Sequence, residues 1–227
     1  MGKLLLLPNV LDEALPHEPF LPNSVQGAVE QIQGLIVESE KAGRRFLRRF
    51  LSHDRMAALP LKLLNEHTTS LDELLAPLLQ GQTWGLISDA GLPCIADPGS
   101  ELVWLAQERG VEIETFVGPC SILMALQLSG FSGQRFSFHG YLPRELPDLE
   151  KKLHELEKQA GAQIWIEAPY RSAKMLETLL RVLKPETRLC VAVNLTTPNQ
   201  RVHSATVSKW RAHSFPLAKE PAVFLLG

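Results

Sequence analysis

The chain has 227 residues, 45% of them hydrophobic and 21% charged, with a formal net charge of −2. That length suits one large or two small domains, and the balance is that of an ordinary globular protein rather than a disordered one. The slight acidity excludes a global basic field that would draw the molecule onto nucleic acid, so any RNA contact has to use a local patch. The three cysteines, Cys94, Cys120 and Cys190, form no Cys-x-x-Cys pair, and the seven histidines form no ligand-spaced cluster, so no metal centre is expected. A reducing cytoplasm fits this cysteine usage. Leu4 to Leu7 is too short for a signal-peptide core or a membrane span, so no membrane partner is expected.

Lys3 to Leu7 reads as a first buried strand. Pro8, Pro16, Pro19 and Pro22 then impose a long irregular loop. A helix capped by Asn23 or Ser24 follows, with Val25, Ala28, Val29 and Ile32 on one face and Gly34 as its stop. Leu35 to Val37 is a second strand and delivers Glu38 to its end. The next helix carries Arg44, Arg45, Phe46, Leu47, Arg48, Arg49 and Phe50. Leu61 to Leu64 is a third strand leading to Asn65-Glu66-His67. Ser70-Leu71-Asp72-Glu73 reads as a capping box for a helix of Leu74, Leu75, Leu78 and Leu79, stopped by Gly81. Trp84 to Ile87 is a strand, Ser100 the expected N-cap of the following helix, and Val111 to Val117 another strand. Alternating strands and helices predict a parallel sheet covered by helices.

Gly118-Pro119 is the expected boundary between a domain of residues 1–118 and one of residues 119–227. Beyond it come a helix from Ser121, a strand over Arg135 to His139, and a charged helix with Leu149, Leu153 and Leu156. A strand over Ala162 to Glu167, a helix over Ser172 to Leu183, and strands over Arg188 to Asn194 and Arg201 to Val207 follow. A short helix around Trp210 and a strand over Ala222 to Leu226 complete the order. More strands per helix predict a mixed sheet. The expected fold is α/β, with two lobes, a mostly parallel N-terminal sheet, a mixed C-terminal sheet, and a cleft between them.

The stretch from Ser88 to Gly99 joins a strand to a helix and holds two acids, Asp89 and Asp97, among glycines and prolines. Glycine lets a ligand approach the backbone, proline fixes the chain, and open α/β sheets bind ligands at such strand ends. The residues alone also leave open a tight strand-to-helix connection with no ligand. No Gly-x-Gly-x-x-Gly, P-loop or Gly-x-Ser-x-Gly occurs, so the common nucleotide sites and the serine hydrolase elbow are not supported.

Asp89-Ala90-Gly91, Pro93 and Asp97-Pro98-Gly99 resemble the central loop of the tetrapyrrole-methylase superfamily. Val117-Gly118-Pro119-Cys120-Ser121, Phe138-His139-Gly140-Tyr141-Leu142-Pro143 and Ile166-Glu167-Ala168-Pro169-Tyr170-Arg171 follow in the order and spacing of its small-subunit ribosomal RNA 2′-O-methyltransferase branch. The resemblance implies a homodimeric methyltransferase that holds S-adenosylmethionine between two lobes and acts on ribosomal RNA. It implies cofactor contacts at Asp89, Ala90, Gly91 and Pro93, at Ser121, at Asn194 and Leu195, and at Pro221 and Ala222. Glu38, His139, Glu167 and Arg171 are the candidate catalytic residues, since a ribose hydroxyl is a poor nucleophile and a general base helps it. Without the family, a lone strand-end glutamate is more often a cap or ion-pair partner.

Arg44, Arg45, Arg48 and Arg49 lie close together on one helix face, and with His67 they are the candidate RNA contacts. A solvated helix face is the plainer reading. The family's first loop, Pro-x-Pro-x-Gly-Asn-Leu, is here Leu7-Pro8-Asn9-Val10-Leu11, and its Glu-Asp-Thr-Arg is Glu38-Ser39-Glu40-Lys41. Asn194-Leu195-Thr196-Thr197 and Lys219-Glu220-Pro221 also depart from the pattern. A methyltransferase for a tetrapyrrole precursor, or a non-enzymatic cofactor-binding module, therefore stays open beside the rRNA reading.

Overall fold

The computed structural model describes residues 2–68 and 70–227. The chain divides into two compact units, Met1–Cys120 and Ser121–Gly227.

The first unit carries β1 (Lys3–Leu6), α1 (Asn23–Gln31), β2 (Gly34–Val37), α2 (Glu40–Arg48), α3 (His53–Ala58), β3 (Leu61–Leu63), α4 (Asp72–Leu79), β4 (Thr83–Leu86), α5 (Ser100–Glu108) and β5 (Glu112–Thr115). Its strands are all parallel, in the order β3-β2-β4-β1-β5. Period-two alternation explains how short strands serve two cores at once. Leu5, Leu7, Leu35, Val37 and Ile87 pack with Val25, Val29, Phe46 and Leu47 of α1 and α2. Leu4, Ile36, Trp84 and Leu86 pack with Leu75, Leu78, Leu102 and Ala106 of α4 and α5. Both faces are covered, as the near-continuous apolar strands require.

The topology fixes where a ligand can go. From β1 the chain crosses to β2, and from the adjacent β4 it crosses the other way to β5. Neighbouring strands whose connections leave in opposite senses open a crevice at their carboxyl ends. The loops after β1 and β4 line that crevice.

The second unit carries α6 (Ser121–Ser129), β6 (Phe136–Tyr141), α7 (Leu146–Leu156), β7 (Ala162–Glu167), α8 (Ser172–Val182), β8 (Arg188–Val193), β9 (Arg201–Thr206), α9 (Val207–Arg211) and β10 (Ala222–Leu226). The sheet order is β6-β7-β10-β8-β9, with β6 and β7 parallel and the remaining pairs antiparallel. Trp165, Val191, Val193 and Phe224 face Leu149, Leu153, Met175 and Leu179 of α7 and α8. The rings of Trp165 and Phe224 stack with centroids 5.8 Å apart across the β7–β10 pair. Truncating either buried ring would cost about 3–5 kcal/mol. The helix α6 covers the opposite face.

The architecture is the parallel-plus-mixed α/β arrangement expected from the alternation of elements. Several details differ. Gly34 does not stop α1 but opens β2, because α1 already ends at Gln31 with Ile32 extended. Ser70 makes no capping bond, and Leu71 is the cap residue of α4. Gly99, not Ser100, precedes α5, with φ of 133° that a side chain would oppose. The helix α3 was not foreseen, since six residues give too short a periodicity to recognise.

Candidate functional site

The crevice of the parallel sheet is built from its first loop upward. Asn9 follows β1 and is buried, with 6% of its surface exposed. Its Nδ2 donates to the carbonyls of Ser88 and Asp89 at 3.2 and 3.0 Å, and its Oδ1 accepts the Val10 N–H at 2.9 Å. Its own N–H donates to the Gly91 carbonyl at 2.8 Å. One side chain thus stitches the end of β1 to the loop after β4. Asn9 was not singled out beforehand. The family pattern places a glycine in this loop, and a buried asparagine that satisfies three backbone groups became legible only with the partners in view.

The loop after β4 is held in conformations that side chains avoid. Gly91 has φ of 73°, and a Cβ there would lie 3.2 Å from Leu11 and 3.3 Å from the Pro119 carbonyl. Cys94 and Ala96 both have φ of 67° without being glycine. Left-handed backbone costs about 1–2 kcal/mol per non-glycine residue, and such strain concentrates at ligand sites. Asp89 and Ala90 are exposed at the top of the loop, while Gly91 and Pro93 are buried.

Three carboxylates meet here. Glu38, after β2, accepts the Asp89 N–H on Oε1 at 3.1 Å. Ser39 donates from Oγ to Asp89 Oδ1 at 3.3 Å, while accepting the Ala42 N–H as the cap of α2. Asn65, after β3, donates to the Glu38 carbonyl at 3.3 Å. Burial, reinforced by the Asp97 charge, pushes the Glu38 carboxyl up to about 7, against the lowering effect of the Asp89 amide. Burial also raises Asp97, with the Asp89 charge adding to it. A carboxyl tuned near neutrality at a strand end suits general-base work.

The second unit gathers its own set at one sheet edge. Ala222, at the start of β10, lies opposite both Glu167 at the end of β7 and Val193 at the end of β8. Asn194 follows in left-handed backbone with φ of 52°, its N–H 3.4 Å from the Pro221 carbonyl. Leu195 is buried, and Thr196 has φ of 73°, strained for a β-branched residue. Glu220 clamps this edge by accepting from Asn194 Nδ2 and Arg201 Nη2, each at 2.6 Å. Burial would raise Glu220, but the Ala218 amide, Arg201 and Asn194 together hold it below the usual carboxylate range. Ser172 Oγ donates to the Glu220 carbonyl at 2.9 Å, tying the start of α8 to the same loop. Thus Asn194, Leu195, Pro221, Ala222 and Glu167 come together, and Glu220 and Thr196 join them unforeseen. Ser121 opens α6, half-buried.

Glu167 is buried and accepts the Ala168 N–H on Oε1 at 2.8 Å. Arg171 Nη2 lies 3.2 Å from Oε2, an ion pair without hydrogen-bond alignment. Burial raises the Glu167 carboxyl, opposed by the Ala168 amide and the Arg171 and Arg144 charges. His139 is not at a strand end. It sits inside β6, with Nε2 2.8 Å from Gln163 Oε1. The Gln163 amide nitrogen already donates to Gly161 at 3.0 Å, so its oxygen accepts and His139 Nε2 carries the proton. Gln163 and Glu167 lie near opposite ends of β7, which sets His139 apart from Glu167.

The arginine helix is largely committed elsewhere. Arg49 donates to the carbonyls of Leu15 and Glu13 at 2.7 and 2.9 Å, and Arg45 pairs with Glu13. Arg44 donates to the carbonyls of Met56 and Leu59. Their mutual repulsion is offset by these carbonyls and by Glu13 rather than requiring an external anion. Arg48 is exposed, and His67 is exposed beside Glu66. Among the described residues no group of three or more His, Cys, Asp or Glu side chains could hold a metal ion, and no helix is long and apolar enough to cross a membrane.

Residues 27–210 match the family described as Tetrapyrrole (Corrin/Porphyrin) Methylases. The chain is 38% identical over 123 residues to the ribosomal RNA small subunit methyltransferase I of Vibrio cholerae, covering 54% of this chain and 43% of that protein. It is 29% identical to the same-named protein of Escherichia coli O157:H7, over 92% of this chain and 70% of that one. Against that of Thermotoga maritima it is 31% identical, over 68% of this chain and 69% of that one. The matched part thus spans between 43% and 70% of these relatives' lengths. The crystal structure of the methyltransferase CobJ superposes with a TM-score of 0.62 at 18% identity, covering 100% of this chain and 93% of that one. That of uroporphyrin-III-C-methyltransferase from Thermus thermophilus gives 0.57 at 16% identity, covering 100% and 94%. At those identities the superpositions establish the fold alone. With residues 27–210 matched, the chain belongs to the tetrapyrrole (corrin/porphyrin) methylase family.

Proposed function

We propose that the protein is an S-adenosylmethionine-dependent methyltransferase whose acceptor is a ribose 2′-hydroxyl of small-subunit ribosomal RNA. The observation that carries this reading is the crevice at the ends of β1 and β4, where Glu38 is tuned to about 7 beside the strained loop of Asp89 to Pro93. The names of the relatives point to small-subunit ribosomal RNA, and the resemblance to the 2′-O-methyltransferase branch points to its ribose hydroxyl.

The residues present fit such a cofactor. Exposed Asp89 and Ala90 offer carboxylate and backbone groups to an ammonium or to ribose hydroxyls, and Gly91 presents no side chain to obstruct them. Half-buried Glu38 and Asp97 suit a cationic neighbour, since desolvated carboxylates gain most from one. The bound cofactor supplies a methyl group already activated by a positive sulfur. The protein's task is to align the acceptor and exclude water. Glu38 is assigned the general-base role, because its carboxyl changes charge near neutral pH while its Oε1 is oriented by the Asp89 amide. Ser121, Asn194, Leu195, Pro221 and Ala222 are assigned to the cofactor from the second unit. Glu167 and Arg171 position that unit's sheet edge, and Arg48 is the exposed basic contact left to RNA. The reading includes a cytoplasmic homodimer.

The test is methyl transfer from labelled cofactor, offering whole small ribosomal subunits, free ribosomal RNA and porphyrinogens in parallel. Label in RNA supports the reading. Label confined to porphyrinogens, or to none of the three, refutes it.

A further inference from the structure

A second concavity is lined wholly by residues of the C-terminal unit. It is a cavity of about 470 Å³, lined by Arg144, Glu167, Tyr170, Arg171, Lys174 and Met175 among others. That volume is in the range of small-ligand sites. Its walls are the loop before α7, the end of β7 and the first turns of α8.

Three features distinguish it from an ordinary surface dent. Glu167 lines it with its side chain fully buried, and Oε2, paired in charge with Arg171 at 3.2 Å, has no aligned hydrogen-bond donor among the described residues. A buried carboxylate oxygen without a donor is costly to leave so. Next, three cations line the cavity. Arg171 is fixed by Glu167 and by the Pro143 carbonyl at 3.2 Å, whereas Arg144 and Lys174 are exposed and form no close ion pair among the described residues. Glu145 and Glu167 offset two of the three charges, leaving the lining positive. Finally, Tyr170 is 65% exposed at its edge, a large aromatic side chain with no ring stacked on it among the described residues.

We infer that this cavity receives one nucleotide of a single-stranded RNA, with its base on the Tyr170 ring and its phosphate between Arg144 and Lys174. The Glu167 oxygen then takes a donor from the base or sugar. Aromatic faces stack bases regardless of sequence, and flexible exposed cations take phosphate oxygens. The inference deepens the RNA reading above and rests on it.

Fluorescence anisotropy with a short single-stranded RNA, across a salt series, tests it. Tyr170→Ala is expected to weaken binding about tenfold without changing the salt slope, and Tyr170→Phe to restore it. Lys174→Glu is expected to weaken binding and to lower the salt slope by about one or more. Cofactor affinity, measured by calorimetry, is expected to stay unchanged in all three, which shows that they fold. If Tyr170→Ala and Lys174→Glu bind RNA like the wild type, the cavity is not an RNA subsite, while methyl transfer to RNA by the wild type still upholds the broader reading. A wild type that neither binds nor methylates RNA overturns both.

Discussion

The Oε1 atom of Glu38 accepts the backbone N–H of Asp89 at 3.1 Å, so the end of β2 and the loop after β4 share one carboxylate. That carboxylate titrates at about 7 against an ordinary 4.5. Between those values the folded protein holds a proton that the unfolded chain has released. Glu38 therefore favours the folded state most below about 4.5, and its contribution declines as pH climbs to about 7. Glu38→Gln should flatten the fall in stability across that window, as read by urea midpoints from pH 4 to 8. If Glu38 is the base, the same variant should lose methyl transfer about a hundredfold or more, and the wild-type rate should rise with pH around 7.

Asn9 satisfies two carbonyls and one N–H inside the first unit. Asn9→Asp keeps the size and the acceptor but replaces the donor with a carboxylate facing the Ser88 and Asp89 carbonyls. The expected cost is about 2–3 kcal/mol by chemical denaturation, with cofactor affinity falling as well because the loop is released. An unchanged midpoint would show that Asn9 does not hold the two loops together.

The arginine helix separates into structural and exposed members. Arg49→Ala frees the Leu15 and Glu13 carbonyls and should destabilise the fold by about 1–3 kcal/mol. Arg48→Glu, on exposed surface, should leave stability within about 0.5 kcal/mol and weaken RNA binding in a salt-dependent way. Equal destabilisation by both would contradict this division.

Ala96 holds φ of 67° on exposed surface. Ala96→Gly should therefore stabilise the first unit by about 0.5–1 kcal/mol, strain relief outweighing the added freedom of the unfolded chain. Gly91→Ala, where the new Cβ would meet the Pro119 carbonyl at 3.3 Å, should go the other way. Thermal midpoints of the pair decide it.

Much of this architecture is written in local pattern. The apolar runs at Lys3, Leu35 and Trp84 are short and unbroken, as strands buried on both faces must be, and Ala162 to Glu167 and Ala222 to Leu226 coincide with β7 and β10. Helix ends were less legible. Ser70 and Ser100 are cap residue types in cap-like positions, but the caps fall on Leu71 and Gly99 because tertiary context sets the entry of the chain. The strand-end position of Glu38 could be read from the sequence, whereas its coupling to Asp97 could not, since they lie 59 positions apart in the chain. The arginine cluster looked like an unneutralised face because its partners are backbone carbonyls, which residue types do not reveal. The roles of Asn9 and Glu220, seen in the sequence only as departures from the family pattern, were hidden for a related reason, since each matters through contacts made far along the chain.

The central claim is that a ribose hydroxyl of small-subunit RNA receives the methyl group. Its most direct test is nucleoside mass spectrometry of small-subunit RNA from a strain lacking the corresponding methylation, after incubation of the subunits with this protein and S-adenosylmethionine. The account predicts a new 2′-O-methylated nucleoside that is absent when Glu38→Gln replaces the wild type. A methyl group found only on a base, or no RNA methylation while cofactor binding is intact, would contradict it.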